Sequence, residues 1–267
     1  MSFFTCPVCG GKLSKEDRTY NCQKNHCYDM AKEGYVNLLM SAKSGDASGD
    51  DKEMVLSRTR FLDGGYYSPL RDKMCEIIKD INQGNLSLLD AGCGEGYYTS
   101  AYSEIAQNTV GIDISKAAVR HAAKRCKSAD FAVASVYHLP IAEDAFDVVV
   151  NCFSPNVPEE FSRVLNRGGH LLYVVPGARH LWELKSILYD SPYENEEKNE
   201  EYDGFVLERV ESVKTEFSLE GGDDIKALFH MTPYTWKTSK DGAARLEKTK
   251  RLKVTADFKI HVYKCVK

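Results

Sequence analysis

Apolar positions along the chain change their spacing several times, and each change marks an element. Over residues 53–83, Met54, Leu56, Phe61 and Leu62, then Leu70, Met74, Ile77, Ile78 and Ile81, recur near the helical period, with Gly64 and Gly65 breaking the stretch. Residues 86–90 form a short apolar strand ending in an acid, followed by a glycine-rich turn and a helix running to about residue 106. Residues 110–114 read as a second strand and 115–127 as a second helix, with Ser115 at its N-cap. Further strands are predicted at 131–134, 146–150 and 170–175, and a helix at 158–165 that ends in a turn at Arg167, Gly168 and Gly169. This alternation predicts an α/β fold with a largely parallel sheet and helices on both faces. Beyond Pro176-Gly177 the pattern gives one amphipathic helix, 179–189, and a last alternating strand, 255–265.

Length and composition add limits. With 267 residues, 43% of them hydrophobic, the chain can bury one large core with room for a small appendage, and wholesale disorder is excluded. No apolar run approaches the roughly 18–20 residues that span a bilayer. The first residues lack the basic-then-apolar pattern of an export signal, so a cytoplasmic protein with no membrane partner is expected. Residues 41–52 are read as a flexible linker or loop, because 41–50 are polar and rich in Gly, Ser and Asp. They separate a segment 1–40 from a larger domain 53–267. The net charge of −4 hides two opposed segments: 190–224 carries 13 acids against 3 bases, and 237–267 carries 10 bases against 3 acids. Where positive charge lies matters more for nucleic acid than its sum, so RNA is not excluded.

Four of nine cysteines fall in the first 27 residues. Cys6-x2-Cys9 followed by Cys22-x3-His26 has the spacing with which two tight turns face each other around tetrahedral Zn²⁺. Gly10 and Gly11 give the first turn its backbone freedom. Four protein ligands leave no open position, so the metal is structural. Cys27 competes with His26 for the fourth place.

Asp90-x-Gly92-x-Gly94-x-Gly96 lies between a predicted strand and a predicted helix. Missing side chains let a ligand lie against the backbone there. Asp113, at the end of the next strand, stands where an acid would bond ribose hydroxyls. Dinucleotide enzymes space these glycines G-x-G-x-x-G; an acid two residues ahead of G-x-G-x-G instead resembles the first motif of class I S-adenosylmethionine-dependent methyltransferases, with their Rossmann-like sheet. In that family the turn holds the methionine portion and the second-strand acid the ribose. Ser135 then falls where such enzymes approach adenine, and an ordinary loop serine is the alternative.

Longer stretches narrow the resemblance. Cys6-Pro-x-Cys9, Asp29-Met-Ala-Lys-Glu-Gly-Tyr-Val-Asn-Leu-Leu39, Arg60-Phe-Leu-Asp-x-Gly65, Tyr67-x-Pro-Leu70, Leu89-Asp-x-Gly-Cys-Gly-Glu-Gly-Tyr-Tyr-Thr99, Pro176-Gly-x-Arg-His-Leu181 and Met231-Thr-Pro233 resemble the bacterial large-subunit ribosomal RNA (guanine-N1) methyltransferase family almost end to end. The resemblance implies an N-terminal zinc domain, a methyltransferase domain, and methyl transfer to N1 of one guanine in a 23S rRNA hairpin near the peptide exit tunnel. It implies Cys6, Cys9, Cys22 and His26 as zinc ligands, leaving Cys27 extra. It also implies cofactor contacts at Tyr67, at Gly94, Glu95, Gly96 and Tyr97 of the glycine turn, and at His180, beside the Asp90, Gly92 and Asp113 read from the motif. A homodimer is left open.

Two other classes stay in view: a small-molecule methyltransferase with a zinc appendage, and a non-catalytic RNA-binding relative with a vestigial cofactor site. Guanine N1 must lose a proton, and Glu183 and Asp147 are only nominal bases. Residues 151–155 lack the Asn/Asp-Pro-Pro-aromatic tetrapeptide used on exocyclic amines, and Cys152 lacks the context of a covalent cysteine mechanism. For RNA, Lys12, Lys15, Arg18 and Lys24 and the basic tail could meet phosphates, and Tyr234 and Trp236 could stack on bases or pack inside.

Overall fold

The computed structural model describes residues 2–40, 49–81, 84–197 and 199–267. It begins with three short antiparallel strands in spatial order: β1 (Ser14–Glu16), β2 (Thr19–Asn21) and β3 (Cys27–Asp29). The next strand, β4 (Tyr35–Asn37), leaves that group and becomes one edge of an eight-stranded sheet. Of the linker expected over 41–52, residues 41–48 lie outside the described residues. The last part is built into the fold: Asp51 accepts from the amides of Glu53 and Met54, capping helix α1 (Lys52–Asp63). Gly65, at φ +76°, turns the chain into α2 (Ser68–Ile81), so the interruption read at the glycine pair is a real break.

The central run follows as β5 (Ser87–Ala91), α3 (Tyr97–Tyr102), β6 (Asn108–Asp113), α4 (Lys116–Arg125), β7 (Asp130–Val133), β8 (Phe146–Cys152), α5 (Pro158–Val164) and β9 (Leu165–Pro176). Then come α6 (Trp182–Leu188), β10 (Phe205–Glu220), α7 (Gly222–His230), α8 (Lys240–Lys248) and β11 (Arg251–Cys265). Sheet order is β10-β11-β9-β8-β5-β6-β7-β4, parallel from β9 through β4 and antiparallel at β10 and β11. The turn expected at Arg167–Gly169 lies inside β9 instead. Pairing there jumps from Leu165 opposite Phe146 to His170 opposite Val148, and Gly168 takes φ +81° in the bulge.

Alternation along the central strands divides the core. Leu88, Val148, Val150, Leu172 and Val174 face α1, α2, α6, α7 and α8; Leu89, Val149 and Leu171 face the other side. That second face is covered by Phe161 and Val164 of α5 and by Phe4, Leu13 and Tyr20 from the N-terminal segment. Phe3 stacks on Phe146 with ring centroids 4.9 Å apart. Residues 2–40 and the sheet therefore share one core across the boundary read from sequence.

The two opposed charge segments meet. The acidic one supplies β10 and the basic one β11, paired along their length with one register shift at Glu208, Glu220 opposite Arg251. Lys253 reaches Glu216 at 2.6 Å, Arg251 reaches Glu220 at 2.9 Å and Lys264 reaches Glu208 at 3.9 Å. The basic tail, offered by the sequence as a phosphate contact, thus lies against the acidic strand.

Candidate functional site

β5 lies between β6 and β8, the point at which successive crossovers run in opposite directions, and ligands of open α/β sheets bind beyond the strand ends at such a point. Here the ends of β5, β6 and β8 open into a cavity of about 500 Å³. Tyr67, Gly92, Gly94, Glu95, Tyr97, Asp113, Ser135 and His180 all line it. Sequence positions from 67 to 180 are thus brought together around one cavity.

Two residues of the motif do not line the wall. Asp90 sits beneath the turn, 2% exposed, with its carboxylate accepting from Thr99 Oγ1 at 2.6 Å. Burial pushes its carboxyl up to about 7, against the lowering effect of that hydroxyl. Gly96 serves packing: at φ +87°, a Cβ there would meet Ala122 Cα of α4 at 2.8 Å. Both hold the turn's shape from below.

The turn itself is open. At Gly92 (φ +92°) a Cβ would strike Ser154 at 2.3 Å, so the loop after β8 closes directly on it. At Gly94 (φ +53°) a Cβ would project into the cavity, with Arg58 Cδ nearest at 3.9 Å. The Gly94 amide donates to Asp113 Oδ2 at 2.9 Å and the Ser115 amide to Oδ1 at 2.8 Å. Burial raises the Asp113 carboxyl, and these two amides work against the rise. Each oxygen keeps a lone pair for a ligand hydroxyl. Glu95 turns the other way: burial raises its carboxyl, Arg125 at 2.8 Å lowers it, and the Tyr97 amide donates to it.

His180 and Tyr67 form the opposite wall. Nδ1 of His180 accepts from the Asp257 amide at 3.2 Å, and Nε2 lies 3.5 Å from the Tyr67 hydroxyl. Burial depresses the imidazole to about 3 and raises the phenol, so both are neutral. An open backbone at Gly94, an acid at the end of β6 and neutral polar groups opposite suit a nucleoside joined to an amino acid.

Several lining residues escaped the sequence reading. Gly49 and Asp50 close one side, Arg58 lies over the turn, and Tyr98, Cys152 and Phe153 complete the wall. Phe153 has φ +58°, a strained conformation for a non-glycine residue, and is 44% exposed with its ring 6.1 Å from that of His180. Met231, Thr232 and Pro233, quoted only as a motif, also border the cavity, as does Tyr234. Trp236 stands 72% exposed, whereas Tyr234 packs near Tyr189 at 6.2 Å. Burial raises the thiols of Cys93 and Cys152, so neither is a thiolate nucleophile. The nominal bases belong to the fold: Glu183 accepts from the amide and hydroxyl of Thr255, and Asp147 from Ser87 and Asn166.

At the N-terminus, donor atoms of Cys6, Cys9, Cys22 and His26 lie within 4.8 Å of one another. Sulfur at about 2.3 Å and nitrogen at about 2.0 Å from a tetrahedral zinc would stand roughly 3.8 Å (S–S) and 3.5 Å (S–N) apart. Observed separations are 3.7 Å for Cys9–Cys22, and 3.3 and 3.4 Å from Cys6 and Cys22 to His26 Nδ1. The donors fit zinc. Cys27 is exposed, its thiol donating to the Asn25 carbonyl, and stands outside this cluster. The Tyr28 hydroxyl lies 3.1 Å from Cys6 Sγ, a second-layer contact that would steady the thiolate.

Known proteins resemble both parts of the chain. Residues 4–43 match the zinc ribbon family described as RlmA, N-terminal, and residues 89–173 match a methyltransferase domain. YxjB of Bacillus subtilis, named for a 23S rRNA (guanine-N(1)-)-methyltransferase, is 32% identical over 97% of this chain and 96% of its own. The 23S rRNA (guanine(748)-N(1))-methyltransferase of Streptomyces fradiae is 35% identical over 70% of this chain and 68% of its own. A solved structure described as a type II methyltransferase, from Anaeromyxobacter dehalogenans, shares the fold at 16% identity, TM-score 0.52, over 73% of this chain and 96% of its own. Similarity to the Bacillus and Streptomyces proteins over most of the length shows that the chain belongs to the 23S rRNA (guanine-N(1)) methyltransferase family of S-adenosylmethionine-dependent enzymes.

Proposed function

We propose that the chain transfers a methyl group from S-adenosylmethionine to N1 of one guanine in a 23S rRNA hairpin near the peptide exit tunnel. The observation that carries this reading is a cavity walled by the glycine turn and Asp113, together with a zinc-ready Cys/His cluster, in one chain whose near full-length relative from Bacillus subtilis is named for methylation of guanine N1 in 23S rRNA. In this reading Tyr67, Gly92, Gly94, Glu95, Tyr97, Asp113 and His180 border the cofactor, with Asp90 and Gly96 shaping the turn. Cys6, Cys9, Cys22 and His26 hold zinc. Residues 1–40 form the metal-bearing part, 53–267 the cofactor-binding part, and the enzyme acts in the cytoplasm.

When bound, S-adenosylmethionine supplies an electrophilic methyl group on a sulfonium. The residues of the chain supply position and surroundings. Neutral His180 and Tyr67 bring no like charge toward that sulfonium, and carboxylates lie on the nucleoside side. Tyr137 and Phe153, 55% and 44% exposed, line the mouth where a base would enter, and Lys12 and Lys24 lie exposed on the zinc segment. Among the described residues lining the cavity, Asp50 is bound to Arg58, Asp113 to the Gly94 and Ser115 amides and Glu95 to Arg125, so the proton leaving N1 passes to water.

The test is incubation of the protein with S-adenosylmethionine and unmodified 23S rRNA, then primer extension. An N1 methyl group blocks base pairing, so a new stop marks the guanine. Methyl incorporation into a small molecule with no stop on RNA would overturn the reading.

A further inference from the structure

Charge is distributed unevenly around the cavity. Its lining carries the carboxylates of Asp50 and Asp113, while that of Glu95 turns away to Arg125, and Arg58 is its one Lys or Arg side chain among the described residues. His180 is neutral. A methionine end carries a carboxylate beside its ammonium and sulfonium. The two cations suit carboxylate surroundings, whereas the carboxylate needs a cationic donor in a partly desolvated site.

Arg58 stands in the right place. It rises from α1 directly over the turn, with Cδ 3.9 Å from the point where a Gly94 side chain would begin. Its Nε and Nη2 both donate to Asp50 Oδ2, at 2.9 and 2.7 Å, and Nη2 also reaches the Met231 carbonyl at 3.2 Å. Nη1 makes no hydrogen bond among the described residues. The side chains of the pair are 26% and 24% exposed. Asp50 is in turn held to the nucleoside side, where its carbonyl accepts from Ser115 Oγ.

Resting on the cofactor reading above, we infer that Arg58 is the receptor for the cofactor's α-carboxylate, with Asp50 as the internal carboxylate that holds the guanidinium over the turn. The pair divides the site. Arg58 serves the amino-acid end, while Asp50 and the segment behind it close the nucleoside end.

Calorimetric titration of the full chain, without RNA, with S-adenosylmethionine and with its decarboxylated analogue tests this. Wild type is expected to prefer the intact cofactor. Arg58→Gln should weaken that cofactor about 10- to 100-fold and leave the analogue near its wild-type affinity, erasing the preference. Arg58→Lys should restore part of it. Asp50→Asn, which keeps the guanidinium, should retain the preference. Equal weakening of both ligands by Arg58→Gln would overturn the inference and leave Arg58 as a strut for Asp50. Failure of the wild type to bind either ligand would instead overturn the cofactor reading beneath it.

Discussion

The Asp257 amide on β11 donates to Nδ1 of His180, so the neutral imidazole must carry its proton on Nε2, facing the Tyr67 hydroxyl. A backbone N–H can only donate, which leaves this tautomer no alternative. Since burial holds the imidazole near 3, His180 should not titrate in the working range. His180→Asn is therefore expected to weaken S-adenosylmethionine about 5- to 10-fold, and by the same factor at pH 5.5 and pH 8. A penalty that vanishes at the lower pH would show that the wild-type histidine charges there.

The three glycines of the turn should separate by mechanism. Gly92→Ala and Gly96→Ala drive a Cβ into Ser154 and Ala122 and should lower the melting temperature, each costing roughly 2–4 kcal/mol. Gly94→Ala meets no protein atom closer than 3.9 Å and should cost only about 1 kcal/mol of stability. It should nonetheless abolish cofactor binding, because its methyl fills the cavity. Thermal melts paired with calorimetry distinguish the two outcomes.

Phe153 presents its ring at the mouth on a strained backbone. If it stacks on the entering base, Phe153→Ala should cut kcat/KM for RNA by about 10- to 100-fold without changing cofactor affinity. Phe153→Trp should recover most of the loss and Phe153→Leu little. Equal activity of Leu and Trp variants would reduce the ring to mere bulk.

Asp90 links the fold to pH. Its folded carboxyl titrates near 7, well above the unfolded value near 3.8, so the native state holds the proton more tightly. The cofactor-free protein should accordingly lose stability as pH rises from about 4 to about 7. Asp90→Asn removes that ionisation. Urea unfolding at pH 5 and pH 8 should show the variant gaining on wild type by on the order of 2 kcal/mol at the higher pH. A constant difference at both pH values would refute the assignment.

Metal removal should reach beyond the N-terminal segment. Phe4, Leu13 and Tyr20 pack in one cluster with Phe146 and Val149 of β8. Chelation, or Cys22→Ser, is expected to lower the melting temperature of the whole chain in a single transition. Two separated transitions would show that the segment folds on its own.

What the sequence disclosed follows the range over which each feature is determined. The glycine turn, Asp113 and the zinc ligands were legible because local spacing fixes their geometry. Gly96 and Asp90 were placed in the right motif, yet their work under the turn depends on Ala122 and Thr99, which only the folded chain brings close. Arg58 and Phe153 gave no signal, since an arginine in a helix and a phenylalanine after a strand are ordinary until the cavity forms. β10 went unread because charge at Glu208, Arg209, Glu211 and Glu216 masks the alternation of Val213 and Leu219 beneath it. Its partner strand completes the pattern.

That strand also ends the sheet. Sixteen residues of outer backbone leave a row of amides and carbonyls that another chain could pair with. Glu208, Glu211, Glu216 and Glu220 share this rim with Arg209 and Lys214, and charged side chains along an edge strand oppose the addition of another strand. The charge that balances β11 internally thereby acts outward as a guard against edge-to-edge assembly.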